Sequence, residues 1–185
     1  PVFEAAANGG GLTTLQAWQG TLAFTFQIYF DFSGYTDMAL GIGLMFGVVL
    51  PQNFEVPYRA VSLQDFWRRW HMTLSRFLRD YLYIPFGGNR HGLAVQLFAL
   101  LATMTLGGLW HGAGLTFVVW GIAHGLGLCA GVLWRRTGVV MPAVVGWALT
   151  FLFVALTWVL FRATSFEAAM RLYEAMFGFA PFGSG

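Results

Sequence analysis

The sequence contains no lysine, one cysteine and few charges of either sign. Each shortage excludes something. Only 10% of the 185 residues are charged, whereas 57% are hydrophobic and 18% aromatic. An ordinary soluble domain carries about 25% charged residues, so this composition indicates a membrane protein. The lone Cys129, inside an apolar run, rules out an internal disulfide and a cysteine-based metal site, and reads as core filler. All ten basic residues are arginine, for which the sequence offers no functional reason. A net charge of +2 is too small to indicate a nucleic-acid partner. No HExxH, CxxC, GxSxG or Walker A pattern occurs, and His71, His91, His111 and His124 lack the i, i+4 spacing of helical metal ligands. The chain opens at Pro1 without a secretory leader and closes on Phe182-Gly183-Ser184-Gly185 soon after an amphipathic segment. Such ends predict a piece of a larger polytopic protein.

What is present is a series of long apolar runs. The pattern predicts an all-α integral membrane protein, a multi-helix transmembrane bundle filling residues 1–185, with apolar spans at about 12–30, 32–50, 93–109, 112–134 and 139–161. The first is rich in Thr and Gln and suits a helix that faces other helices. The second packs through Gly41, Gly43 and Gly47 and ends at Pro51. Gly121…Gly125 and Gly127…Gly131 are small-xxx-small pairs that allow close helix contact.

Between them, six of the ten arginines fall in residues 53–90. Ser62 to Tyr83 reads as one helix, with Ser62 as its N-cap and Asp65 in its first turn. At 100° per residue, Leu63, Phe66, Trp67, Trp70, Leu74 and Phe77 share a face opposite Arg68, Arg69, Arg76 and Arg79. This predicts an amphipathic helix over about 62–83, lying in the membrane interface on the cytoplasmic side. Two crossings then return the chain to Arg135-Arg136 on that same side.

Ionisable groups in apolar surroundings carry the candidate chemistry. His111 lies within the uncharged stretch from Leu93 to Trp134, flanked by Trp110 and by Gly107, Gly108, Gly112 and Gly114. An ionisable group in such a span is a functional-site hypothesis, and histidine is suited to take and return a proton. It is either a general base acting on an alcohol or a neutral histidine bonded to a backbone carbonyl. His71, at the edge of the apolar face of its helix, either lines a cytoplasmic entrance or packs. His124 reads as a structural hydrogen-bonding residue and His91 as solvated. Asp31 and Asp37 must be paired, hydrogen-bonded or neutral. The expectation is that Asp37 meets an arginine of the interfacial helix, with Tyr29, Ser33 and Tyr35 as local donors; a proton-relay role is the alternative.

Four blocks together resemble one family. They are Tyr29-Phe30-Asp31-Phe32-Ser33-Gly34-Tyr35-Thr36-Asp37-Met38, Leu50-Pro51-Gln52-Asn53-Phe54, a block running from Asp65-Phe66-Trp67-Arg68-Arg69-Trp70-His71 to Phe86-Gly87-Gly88-Asn89-Arg90, and Gly108-Leu109-Trp110-His111-Gly112-Ala113. The chain resembles the membrane-bound O-acyltransferase family in its alginate O-acetyltransferase-like branch, and Trp120-Gly121-Ile122-Ala123-His124-Gly125 adds to the likeness. The resemblance implies that His111 is the catalytic histidine and His71 the second characteristic one, in a bundle with a tunnel through its core. It implies an acyl thioester donor, acetyl-CoA or an acyl carrier protein, used as substrate with no bound cofactor. Arg68, Arg69, Arg76 and Arg79 would stand near the donor's phosphates. Trp110, or the backbone N–H groups of Gly112 and Ala113, would face the developing oxyanion. The acceptor would be a hydroxyl of an exported or cell-wall polysaccharide, reached directly or through a periplasmic or extracellular acetyltransferase partner. The setting would be the lipid of a bacterial inner membrane, crossed several times. Two other readings stand: a D-alanyl transferase for teichoic acid, and a transporter with Asp31, Asp37, His111 and His124 as a proton relay. The run Phe86 to His91 resembles the acetyltransferase branch more.

Overall fold

The computed structural model describes residues 1–179, among which there is no strand. Eight α-helices follow in order: α1 (Val2–Ala7), α2 (Thr14–Met45), α3 (Leu63–Arg69), α4 (Met72–Leu78), α5 (Leu93–His111), α6 (Leu115–Arg136), α7 (Ala143–Arg162) and α8 (Phe166–Met176). A 3₁₀ turn at Pro57–Arg59 precedes α3, and a π-helical turn at Arg79–Tyr83 follows α4. The closing Phe182-Gly183-Ser184-Gly185 lies outside the described residues.

Among the described residues α5, α6 and α7 are long and apolar enough to cross a membrane. Each ends one or two residues past its predicted limit, and α6 and α7 begin three and four residues later than predicted. The first two expected spans, 12–30 and 32–50, are instead one helix. Thr13 caps α2 in a reciprocal box with Gln16, and its 32 residues continue through Asp31 and Asp37. That length corresponds to about 48 Å. The polar segment does not break the helix because its hydroxyls bond backward: the Thr36 hydroxyl donates to the Phe32 and Ser33 carbonyls at 3.1 and 2.8 Å. Gly47, at φ +74°, turns the chain after Met45, so residues 46–50 are not helical.

The expected interfacial helix over 62–83 is not continuous either. Its start is as predicted, the Ser62 hydroxyl accepting from the Asp65 N–H at 3.1 Å. At Trp70 the backbone becomes extended, and His71 takes a left-handed conformation at φ 42°. Two short helices therefore meet at an angle where one was expected.

The glycines between α5 and α6 serve close approach. A Cβ on Gly108 would meet the Phe117 carbonyl oxygen, one on Gly121 the Met104 carbonyl oxygen, and one on Gly125 the Leu101 Cα at 3.0 Å. Gly121…Gly125 is thus a contact face as expected, whereas Gly131 meets only an arginine side chain of its own helix. This packing fixes the end of α5, and hence His111, against α6. The core is aromatic: Phe66, Trp70, Trp120 and Trp158 are buried together with Val154 and Leu172.

Candidate active site

The break at His71 is held by Asn53, eighteen positions upstream. The Asn53 side-chain oxygen accepts from the Thr73 backbone N–H at 3.1 Å, the Thr73 hydroxyl at 2.9 Å and the His71 Nδ1 at 3.1 Å. Its backbone carbonyl accepts from the Met72 N–H at 2.9 Å. The Thr73 N–H identifies the contacting Asn53 atom as the oxygen, so His71 Nδ1 carries the hydrogen and Nε2 is the free acceptor nitrogen. Burial pushes the His71 imidazole down from its ordinary 6.5 to about 4, with the nearby His111 charge a second cause. A left-handed non-glycine residue costs on the order of 1–3 kcal/mol. The Asn53 clamp offsets that cost and aims the ring.

His71 and His111, forty positions apart, line one apolar cavity of about 630 Å³. Its wall includes Asp31 and Phe32 from α2, Trp67 and Trp70 at the break, Trp110 beside His111, Trp120 from α6, and Trp158 and Phe161 from α7. Phe32 meets the His71 ring edge-on at 4.8 Å. His111 is the last residue of α5, half-buried, with Trp110 at 5.1 Å, Trp120 at 5.5 Å and Phe161 at 5.1 Å. Its ring nitrogens make no hydrogen bond to any described residue. The packing alternative called for a bond to a backbone carbonyl, and that bond is not made.

His124 has the structural bonding expected of it. It is fully buried; the Trp67 indole N–H donates to its Nδ1 at 3.2 Å, and its Nε2 lies 3.0 Å from the Thr157 hydroxyl. The Trp67 donor leaves the imidazole hydrogen on Nε2, which donates to Thr157, whose hydroxyl donates on to the Val154 carbonyl at 3.0 Å.

Arg68, Arg76 and Arg79 line a second cavity of about 450 Å³, together with Arg135 at the end of α6 and the polar side chains Gln64, Gln96 and Thr103. Arg135 thus reaches the same side as the α3–α4 arginines, as the two expected crossings require. Arg69 is not there. Its Nε donates to Asp65 at 2.8 Å and its Nη1 to the Glu55 carbonyl at 3.4 Å. The i, i+4 spacing of Asp65 and Arg69 is the sequence signal for that pairing. Trp67 lines both cavities, so they share a wall and follow one another along α5 from Gln96 to His111.

The expected Asp37–arginine pair is absent. Among the described residues the side-chain ion pairs are Arg69–Asp65 and Arg79–Asp80, with the N-terminus near Glu4. Asp31 and Asp37 are exposed on α2, and the Ser33 and Thr36 hydroxyls bond to backbone rather than to them. Asp31 and His111 share a cavity, whereas Asp37 lines neither and His124 is enclosed elsewhere, so the four residues of the relay alternative do not converge. His91 is exposed. Sequence reasoning missed Asn53 as the clamp, Arg135 as the fourth arginine of the second cavity, and Trp120 on the histidine wall.

The motifs that carried the resemblance now have places, and comparison with known proteins decides their meaning. The family model described as MBOAT, membrane-bound O-acyltransferase family, matches residues 12–170. The chain belongs to the membrane-bound O-acyltransferase family. It is 49% identical over 171 residues to the Peptidoglycan O-acetyltransferase of Helicobacter pylori, covering 90% of this chain and 32% of that protein. It is 52% identical over 171 residues to the "Probable alginate O-acetylase AlgI" of Pseudomonas aeruginosa, with the same coverage. A Teichoic acid D-alanyltransferase of Streptococcus thermophilus is 30% identical over 145 residues, 74% of this chain and 34% of its own. The chain therefore spans about a third of the length of these relatives. In this member of the family the block ending in Asn53-Phe54 holds His71, and the Trp120–Gly125 block sets both α5 against α6 and Trp67 against His124.

Proposed function

We propose that the whole protein is a multi-pass inner-membrane O-acyltransferase that moves acetyl from a cytoplasmic thioester to hydroxyls of an exported or cell-wall polysaccharide. The observation that carries this reading is the convergence of His71 and His111 on one apolar cavity. The arginine-lined cavity behind Trp67 suits the phosphates of the donor, whether acetyl-CoA or the prosthetic arm of an acyl carrier protein, since guanidinium binds phosphate well. Arg68, Arg76, Arg79 and Arg135 take that role. Arg69, engaged with Asp65, leaves the group assigned to it from sequence.

His111 acts as general base. It takes the proton of the acceptor hydroxyl as the oxygen attacks the thioester carbonyl; the tetrahedral intermediate then expels the thiolate, which recovers the proton from the imidazolium as free thiol. His71, with Nε2 as an acceptor only, orients an N–H or O–H of the substrate. The apolar wall excludes water, which would otherwise hydrolyse the thioester. The acceptor is either the polysaccharide itself or a soluble acetyltransferase outside the membrane that relays the group.

Acetyl is favoured over D-alanyl because the relatives named for acetyl transfer are 49–52% identical and the D-alanyltransferases 30–32%. The test is mass spectrometry of surface polysaccharide from strains with and without the full gene. Ester-linked acetate that disappears on deletion and returns on complementation is the expected result. Loss of D-alanyl ester, or no change in any ester, contradicts the assignment.

A further inference from the structure

The Asn53 side-chain oxygen accepts three hydrogens at once, those of the Thr73 N–H, the Thr73 hydroxyl and His71 Nδ1. A carboxylate has more lone-pair capacity than an amide oxygen, so for that task alone aspartate would serve better. Aspartate would also charge the ring, because a carboxylate beside an imidazole favours the imidazolium. The amide makes the same bonds and brings no charge. Thr73 keeps it in that orientation: turned over, the Asn53 NH2 would meet the Thr73 N–H donor against donor. The other groups that face His71 do little to charge it. α5 presents His111, whose own charge opposes a second one. α2 presents Asp31 and Tyr35, both exposed, where solvent screens the carboxylate. α6 and α7 contribute Trp120, Trp158 and Phe161. On α3 and α4, Arg68 and Arg76 line the other cavity and Arg69 is paired with Asp65, while Glu55 on the Asn53 loop is exposed.

We propose that Asn53 is a positioning residue for acyl transfer: by holding His71 as a neutral ring with its hydrogen on Nδ1, it leaves His111 free to act as the base. The inference rests on the acyl-transfer reading above. The two imidazoles line one apolar cavity. During attack the acceptor oxygen bonds to the thioester carbonyl carbon and its proton passes to a ring nitrogen of His111. His111 is then a cation until the leaving thiolate takes that proton. Like charges in an apolar space oppose one another strongly. An imidazolium at position 71 would therefore resist proton transfer to His111, whereas a neutral ring does not. It would also present an N–H at Nε2 in place of the lone pair, and so lose its hold on a substrate N–H or O–H. Asn53 itself lines neither cavity; it acts through the charge and the hydrogen of His71.

The experiment compares full-length wild type with Asn53→Asp. The protonation of His71 is read by NMR of protein labelled with ¹⁵N-histidine, with His71→Gln identifying its signals. Ester acetate formed on polysaccharide is measured across pH in host membranes supplied with acetyl-CoA and host cytosol. In wild type the His71 hydrogen is expected on Nδ1 alone at neutral pH. In Asn53→Asp the ring is expected to take its second hydrogen at a pH higher by about 1–3. Acetylation is expected to fall roughly 10²-fold where that ring is charged, and to recover as pH rises and it becomes neutral. A purely structural clamp predicts no such recovery, because its loss does not follow the titration of His71. A wild-type hydrogen on Nε2 overturns the proposal, whether or not the variant folds. So does an Asn53→Asp protein that acetylates at the wild-type rate with His71 charged, keeps the wild-type titration, or stays inactive once the ring is neutral. Wild-type membranes that add no acetate beyond those of the deletion strain overturn the acyl-transfer reading instead.

Discussion

At the scale of single residues, the site depends on how His71 is held. His71 gives its Nδ1 hydrogen to Asn53 and faces the cavity with a lone pair; burial pushes its titration to about 4. The unfolded chain binds that proton near 6.5, so between about pH 4 and 6.5 it holds more protons than the folded one. Stability therefore rises with pH across this window and is lost on acidification. In His71→Gln the melting temperature is expected to vary less steeply between pH 4 and 6.5 than in wild type. The acid limb of kcat/KM above pH 5 is expected to keep its position, because His71 does not titrate there. A shift of that limb in His71→Gln, read from pH–rate profiles, contradicts the assignment.

At the scale of elements, the chamber is placed by the α5–α6 contact and by the kink between α3 and α4. Gly121→Val drives a branched side chain into the Met104 carbonyl. It is expected to cost about 1–3 kcal/mol in thermal unfolding, as overpacking of a tight contact does. An unchanged melting temperature would show that the two helices are free to part. These elements differ in how far they can be read from sequence. The long apolar helices α5, α6 and α7 follow from uncharged length, and the start of α3 from Ser62 and Asp65. The kink does not, because the apolar period runs on through Trp70 and His71 while the cause lies at Asn53. The continuity of α2 is hidden for a related reason: Asp31 to Asp37 reads as an interruption until Thr36 is seen bonding to its own helix. Of the site, His71 and His111 are legible as residue types in unusual surroundings. The place of Trp120 on the histidine wall and the arrival of Arg135 exist only through tertiary contact.

At the scale of the whole molecule, the two cavities give the chain a direction. Arginines from α3, α4 and α6 gather at one end, the histidines lie beyond Trp67, and between 28% and 44% of the most apolar window of α5, α6 and α7 is buried. The remaining apolar surface suits lipid. On the reading proposed above, the thioester donor enters past the arginines and reaches an apolar chamber in which His111 is the base. The most direct test of the central claim is the ester acetate on exported polysaccharide from cells carrying the full-length gene with His111→Ala, at membrane levels matched to wild type. The account predicts acetate at the level of the deletion strain. Acetylation at the wild-type level would contradict it.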